Sequence, residues 1–306
     1  MKQILTTAII FGAFIYASVA ADLNTARIDE LTGLKGKMNE KEGVYKVTFP
    51  RGDVKVVVDG WSMPSFMGLG TWAAFTATKD GAMVMGDTVL FEDEVNAAMS
   101  AALDNGLSVT ALHNHFFFDR PKVFFMHIEG EGPLEKLASA VKKVYDTTKA
   151  IRGPNPKPAE SFSVVGQPSL PDKSSITAAA LNEIFGVQGE AKDGMVKFTI
   201  GRPAKMHGAP IDKEMGVNTW AAFAGSDDNA VVDGDFAVTE DELQPVLKSL
   251  LKNKINIVAI HQHMTHEEPR IMFFHYWGRG SAKDLANAVK GGFLIGGLLK
   301  VTSPLP

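Results

Sequence analysis

The 306-residue chain contains no cysteine. That absence excludes disulfides and thiolate metal sites, and leaves no residue to carry a cysteine-borne lipid anchor. It also lacks an excess of charge of either sign. Thirty-one Lys and Arg stand against 35 Asp and Glu, a formal net charge of -4, so no basic face is expected for nucleic acid. No serine-centred nucleophile elbow, Walker-type loop or dinucleotide glycine pattern occurs. Long apolar runs are missing beyond the N-terminus, because Phe293 to Leu299 is short and rich in glycine and cannot span a bilayer.

The first apolar run is of another kind. Lys2 precedes a mostly apolar stretch from Ile4 to Ile15, and Ser18-Val19-Ala20 places small residues at a peptidase site. Residues 1–20 read as a signal peptide, cleaved after Ala20 or Ala21. An uncleaved anchor is the alternative, although the run is short for a span of about 20 residues. The expectation is a periplasmic or secreted protein with no membrane anchor in its mature form. Oligomeric state is left open.

A duplication organises the rest. Thr71-Trp72-Ala73-Ala74-Phe75 returns as Thr219-Trp220-Ala221-Ala222-Phe223, 148 residues later. The same shift carries Gly86-Asp87 onto Gly234-Asp235, Glu92-Asp93-Glu94 onto Glu240-Asp241-Glu242, and Pro121 onto Pro269. Gly153-Pro154-Asn155-Pro156-Lys157-Pro158, followed by Pro168 and Pro171, suits an extended linker. The domains are read as repeat unit 1 over 21–150, a Pro-rich linker over 151–174, and repeat unit 2 over 175–306.

Each unit opens with a short amphipathic helix (Thr25 to Leu31; Ile176 to Phe185). Extended segments follow near Val44 to Phe49, Val54 to Val58, Trp72 to Thr78 and Ala82 to Leu90. Glu92-Asp93-Glu94 starts a helix running to Leu103, where acids complement the N-terminal dipole and Gly106 stops it. Ser108 to Phe116 and Lys122 to Ile128 are joined by a turn around Asp119-Arg120-Pro121, and a last helix covers Leu134 to Thr147. Hairpins demand antiparallel pairing, so the fold class is α+β: a tandem duplication of a unit with antiparallel strands and two to three helices, packed as a pseudo-dimer.

Six of the eight histidines repeat one spacing. His113-Asn114-His115 is followed by His127, and His261-Gln262-His263 by His275, fourteen residues after the first histidine in each case. Alternate strand residues share a face, so His113 and His115 point the same way. A hairpin centred on Arg120 sets His127 directly across from His113, with Cβ atoms about 5 Å apart. One centred on Glu268 does the same for His275 and His261. Three imidazoles with an open position form an exchangeable or catalytic metal site, whereas structural zinc usually takes four protein ligands. A lone His-x-His is more often packed in a sheet; two matched sets favour metal in at least one unit, and the two need not be equivalent. Imidazole suits zinc, copper, iron and nickel, of which zinc is preferred. Thirteen methionines invite cuprous copper, but Met126, Met264 and Met272 fall by parity on the opposite face.

Other residues have plainer readings. Asp87 and Asp235 could accept a ligand imidazole's second N–H, though turn or cap duty is the cheaper account. Glu92, Glu94, Glu240 and Glu242 could supply a general base or fourth ligand, and are explained as helix-start acids. Trp72 and Trp220 read as core. His207 reads as a solvent-facing loop residue, and the second unit's loop adds His266 and Glu267.

Gly-x-x-Thr-Trp-Ala-Ala-Phe, Gly-Asp, Glu-Asp-Glu, Ala-Leu-His-Asn-His and Ala-Ile-His-Gln-His-Met-Thr together resemble the DUF1259 (LppY/LpqO) family over essentially the whole mature chain. The resemblance implies an exported bacterial protein built from a duplicated unit, and implies no particular chemistry. Some members of that family are named lipoproteins; this sequence lacks the cysteine which that requires. Three functions follow: a periplasmic metal-binding protein, a metal-dependent hydrolase or lyase acting on a small molecule, and a metal-free envelope interaction module. The histidine set also looks like that of zinc lyases such as acetolactate decarboxylase, a likeness of ligand pattern alone.

Overall fold

Strands that bury every second residue, and helices that bury one stripe, meet here in two layers. The computed structural model describes residues 23–161 and 168–299. The expected signal peptide and part of the Pro-rich stretch lie outside the described residues. The first repeat runs α1 (Thr25–Thr32), β1 (Lys37–Asn39), β2 (Val44–Pro50), β3 (Val57–Val58), β4 (Trp61–Ser62), β5 (Gly70–Thr78), β6 (Gly81–Phe91), α2 (Glu92–Asp104), β7 (Ser108–His113), β8 (Asp119–Arg120), β9 (Val123–Gly132) and α3 (Leu134–Arg152). The second runs α4 (Ala178–Phe185), β10 (Glu190–Lys192), β11 (Met195–Gly201), β12 (Ala204–Met206), β13 (Ala209–Ile211), β14 (Asn218–Gly225), β15 (Ala230–Thr239), α5 (Glu240–Lys252), β16 (Asn256–His261), β17 (Glu267–Glu268), β18 (Ile271–Gly280) and α6 (Ala282–Ile295).

The fold is α+β, as the hairpins demanded. Twelve strands form one sheet in the order β1-β2-β5-β6-β9-β7-β16-β18-β15-β14-β11-β10, so each half mirrors the other and the repeats join through β7 and β16, with Leu112 opposite Ile260. The six α-helices among the described residues cover one face. Ile28, Val95, Met99, Val141, Leu181, Val246 and Phe293 share a single cluster there with Val47, Phe75, Val84, Leu112, Met126, Val232, Ile260 and Phe274 from the strands. On α2 the buried positions Val95, Ala98, Met99, Ala102 and Leu103 follow the three- and four-residue spacing of an apolar helix stripe. Burying each of the larger side chains contributes about 1.5–3 kcal/mol.

Helix starts are fixed as the acids suggest. The Glu94 and Glu242 carboxylates accept from the N-cap amides of Phe91 (3.0 Å) and Thr239 (2.9 Å). Neither is free for proton transfer. Glu94 also takes Arg51 and Arg152 in a buried network, and Glu242 takes Arg202. Arg152 explains why α3 runs five residues past Thr147, into the expected linker, since its guanidinium anchors the last turn to Asp93 and Glu94. Residues 153–161 and 168–174 hold no helix or strand.

The junction has its own device. A bulge interrupts β7 between Val109 and Ala111, and a matching one interrupts β16 between Ile257 and Ala259. Bulges leave backbone groups without ladder partners, and each gap is filled from the other repeat. The Val109 amide donates to Gln244 Oε1 (2.8 Å), Gln244 Nε2 donates to the Val109 carbonyl (3.0 Å), and the Ile257 amide donates to Asn96 Oδ1 (2.7 Å).

The second face is open at the centre. Two three-stranded sheets, β4-β3-β8 and β13-β12-β17, sit over small apolar clusters on it. One cluster is Val56, Leu69, Val89, Phe91, Val123 and Phe125; the other is Ala204, Ile211, Val217, Ala237, Ile271 and Phe273.

Candidate metal centre

The histidines lie on this second face, reached by a register two residues away from the expected one. His113 stands opposite Phe125, and His127 opposite Ala111; in the second repeat His261 faces Phe273 and His275 faces Ala259. The simple hairpin about Arg120 fails because Asp119 and Arg120 leave to form β8 and pair with β3, while Glu267 and Glu268 form β17 and pair with β12. The histidines then meet on the diagonal. His113 Nε2 and His127 Nε2 are 3.0 Å apart, and the His261 and His275 rings stack at 4.8 Å.

His115 and His263 are not strand residues. β7 and β16 end at His113 and His261, short of the expected Phe116. The loops instead lay His115 flat on Phe125 (3.4 Å, 5°) and His263 flat on Phe273 (3.5 Å, 10°). His263 Nε2 thereby comes within 3.1 Å of His261 Nε2. Two nitrogens at about 2.05 Å from a tetrahedral ion stand about 3.3 Å apart, close to both imidazole pairs.

Two carboxylates join the sets. Asp87 lies mid-strand directly opposite His127, and Asp235 directly opposite His275. They are neither turn nor cap residues. Asp235 Oδ2 is 3.5 Å from His263 Nε2, and its Oδ1 is 4.0 Å from His275 Nδ1. Asp235, His261 and His263 each offer a ligand atom, all lying within 4.8 Å of one another. The signal that would have found the aspartates is the duplication itself, since each precedes the last histidine of its set by the same 40 residues.

Electrostatics mark both places. Burial pushes the Asp235 carboxyl up to about 7, only partly opposed by His275 and the backbone amides of Phe274 and Phe236. Burial also raises Asp87, against the pull of His127, His115 and His113. His261 is driven down to about 4 by burial, then by His275 and His263; burial likewise lowers His115 and His263. Asp87 Oδ1, Asp235 Oδ1 and His261 Nδ1 are buried without a hydrogen-bond partner. Each such atom costs about 1–3 kcal/mol, and a cation at the focus would relieve the carboxylates.

The remaining residues sort cleanly. Trp72 and Trp220 stand next to Asp87 and Asp235 on the same face. They are half-buried beneath Lys46 (4.0 Å) and Lys197 (4.2 Å) rather than in the core. Met126 is buried in the helix-side cluster and Met272 packs against it, but Met264 packs with Ala204, Ile211 and Phe273 on the histidine side. Parity failed for Met264 because it lies beyond the end of β16. His207 is exposed and stands near His266, ring centroids 5.8 Å apart. Glu267 accepts from the Ile271 amide (3.1 Å) and shapes the turn.

No curated protein matches the chain in sequence. Among solved structures it is similar to the trimeric bacterial microcompartment shell protein PduB, with 11% identity over 85% of this chain and 89% of that one, at a TM-score of 0.22. It is also similar to the double-ringed trimeric shell protein MSM0271 from the RMM microcompartment (12% identity, 83% and 98% covered, TM-score 0.17). A third likeness is to aspartate kinase from Synechocystis (10%, 73% and 42%, TM-score 0.17). Likeness at these TM-scores assigns neither fold nor function. The family model described as Domain of Unknown Function (DUF1259) matches residues 26–147 and 179–293, once per repeat, and the chain belongs to that family.

Proposed function

We propose that this is an exported, periplasmic metal-binding protein that holds a divalent ion on each histidine set. The ligands are His261, His263, His275 and Asp235 in the second repeat, and His113, His115, His127 and Asp87 in the first. One observation carries the reading: the ligand atoms of Asp235, His261 and His263 converge within 4.8 Å. Neutral imidazoles with one carboxylate suit zinc, with copper, iron and nickel as competitors. Export rests on the N-terminal run. Among the described residues no helix is long and apolar enough to cross a membrane.

The test is direct. Mature protein purified without a histidine tag should carry one or two ions per chain by elemental analysis. Paired His261→Ala and His263→Ala changes should remove the second-repeat ion. No uptake from zinc, copper, iron or nickel solutions would end the reading and leave a metal-free envelope module. A second reading, a metal-dependent hydrolase or lyase, is favoured by the exposure of His115 and His263, which leaves the outer side of each site open to a small molecule. Turnover of esters, lactones or 2-hydroxy acids that a chelator stops and metal restores would establish it.

A further inference from the structure

The two histidine sets share one floor. Leu112 is paired with Ile260 across the junction, so one antiparallel step places His261 across from Ala111, and His113 across from Ala259. Adjacent strands β9, β7, β16 and β18 therefore carry His127, His113, His261 and His275 on one face. Ring contacts still divide them into two foci. His113 packs with His115 and His127, and His261 with His263 and His275. One focus lies between β9 and β7, the other between β16 and β18, two strand spacings or about 10 Å apart. Between them lie Ala111 and Ala259, both partly exposed. Each carries only a methyl group, so a longer side chain at either position would stand between the foci.

Charge and reach define what fits. Each set offers neutral imidazoles and one carboxylate, so a bound dication leaves about one positive charge at each end. Lys46 and Lys197, over the flanking Trp72 and Trp220, add to it. With metal–oxygen distances of about 2.1 Å, ions about 10 Å apart leave about 6 Å between two ligating oxygens. We infer that the two sets act as one two-ion platform for a dicarboxylate of about four to six carbons, lying across Ala111 and Ala259 with one carboxylate on each ion. This inference rests on the metal-binding reading above.

Titration of the zinc-loaded, full-length mature protein with glutarate and with propionate tests it, with metal content measured on the same samples. The expected result is two ions and one glutarate per chain, with glutarate bound at least tenfold more tightly than propionate. His127→Ala and His275→Ala should each reduce glutarate to the propionate level, and Ala259→Leu, which fills the space between the foci and replaces no ligand, should do the same with both ions retained. Two ions with equal affinity for the two acids, two glutarates per chain, or a preference that survives Ala259→Leu would overturn the platform while leaving the metal reading standing. A single ion per chain would do so too. No ion at all would overturn both.

Discussion

Asp235→Asn separates a ligand from a structural residue, because the two roles predict opposite signs for the metal-free protein. Asp235 is 3% exposed, and its Oδ1 has no hydrogen-bond partner. A buried acceptor left unpaired costs about 1–3 kcal/mol, more when charged. The amide keeps the shape, removes the charge and can donate to His263 Nε2, 3.5 Å from Asp235 Oδ2. Above pH 7, where the parent carboxyl is ionised, the metal-free variant should therefore be more stable than the parent by about 1–2 kcal/mol, a rise of about 2–6 °C in Tm. Its pH dependence should also change. The carboxyl rises to about 7 from 3.8 on folding, so between those values the folded chain holds a proton that the unfolded chain releases. Its contribution is full below about pH 4 and is lost as pH rises through 7; Asp235→Asn should flatten that decline. Zinc should tell the reverse story. At a concentration a hundredfold above Kd, a ligand specific for the native state stabilises by about 2.7 kcal/mol, and the variant should lose much of that shift. Calorimetry with and without zinc, from pH 4 to 8, measures all three. A metal-free variant less stable than the parent at pH 8, with an undiminished zinc shift, would make Asp235 a structural residue and not a ligand.

Asn96→Ala and Gln244→Ala should each lower stability by about 1–3 kcal/mol in urea titrations, because each strands backbone groups at a bulge in the other repeat; a neutral result would show that water replaces them. Glu94→Gln should cost about 1–3 kcal/mol, since Arg51 and Arg152 each lose a buried charged partner while keeping Asp53 and Asp93. Elemental analysis of that variant should show unchanged metal content, and loss of metal would mean that the network positions the site. Tyr145→Phe should be neutral or stabilising by about 1 kcal/mol in thermal melts, because the Tyr145 hydroxyl is buried with no partner; a clear loss of stability would reveal one.

The duplication, the antiparallel class and most elements were legible because they rest on alternation and on residues with strong local rules. Glu92 to Glu94 begin α2, and Gly106, at a φ of 84°, lies just past its end. Register was not legible. It depends on where residues 114–122 travel, and nothing in Asp119-Arg120 announces a partner as distant as Val57 and Val58. The bulges at Val109 and Ile257 were hidden for the same reason, since their partners Gln244 and Asn96 lie in the other repeat. Asp87 and Asp235 were misread because Gly-Asp is a common turn pair. In β6 and β15 the glycine instead admits a neighbouring side chain: a Cβ on Gly234 would meet the Tyr276 hydroxyl at 2.2 Å. The Trp residues were misplaced because aromatic repetition says nothing about which face of a sheet is covered.

The way the sheet ends carries a consequence for how such a chain arises and misassembles. Its two outer borders are the three-residue strands β1 and β10, bearing Lys37 and Lys192, too short and too charged to recruit further strands. The inner borders, the facing edges of β7 and β16, are six residues each and are covered by one another, with Gln244 and Asn96 at the bulges. Half a chain would carry one spent border and one hungry one. A gene encoding a single repeat would thus make a self-pairing protein, and fusing two such genes would convert a concentration-dependent encounter into a permanent intramolecular one.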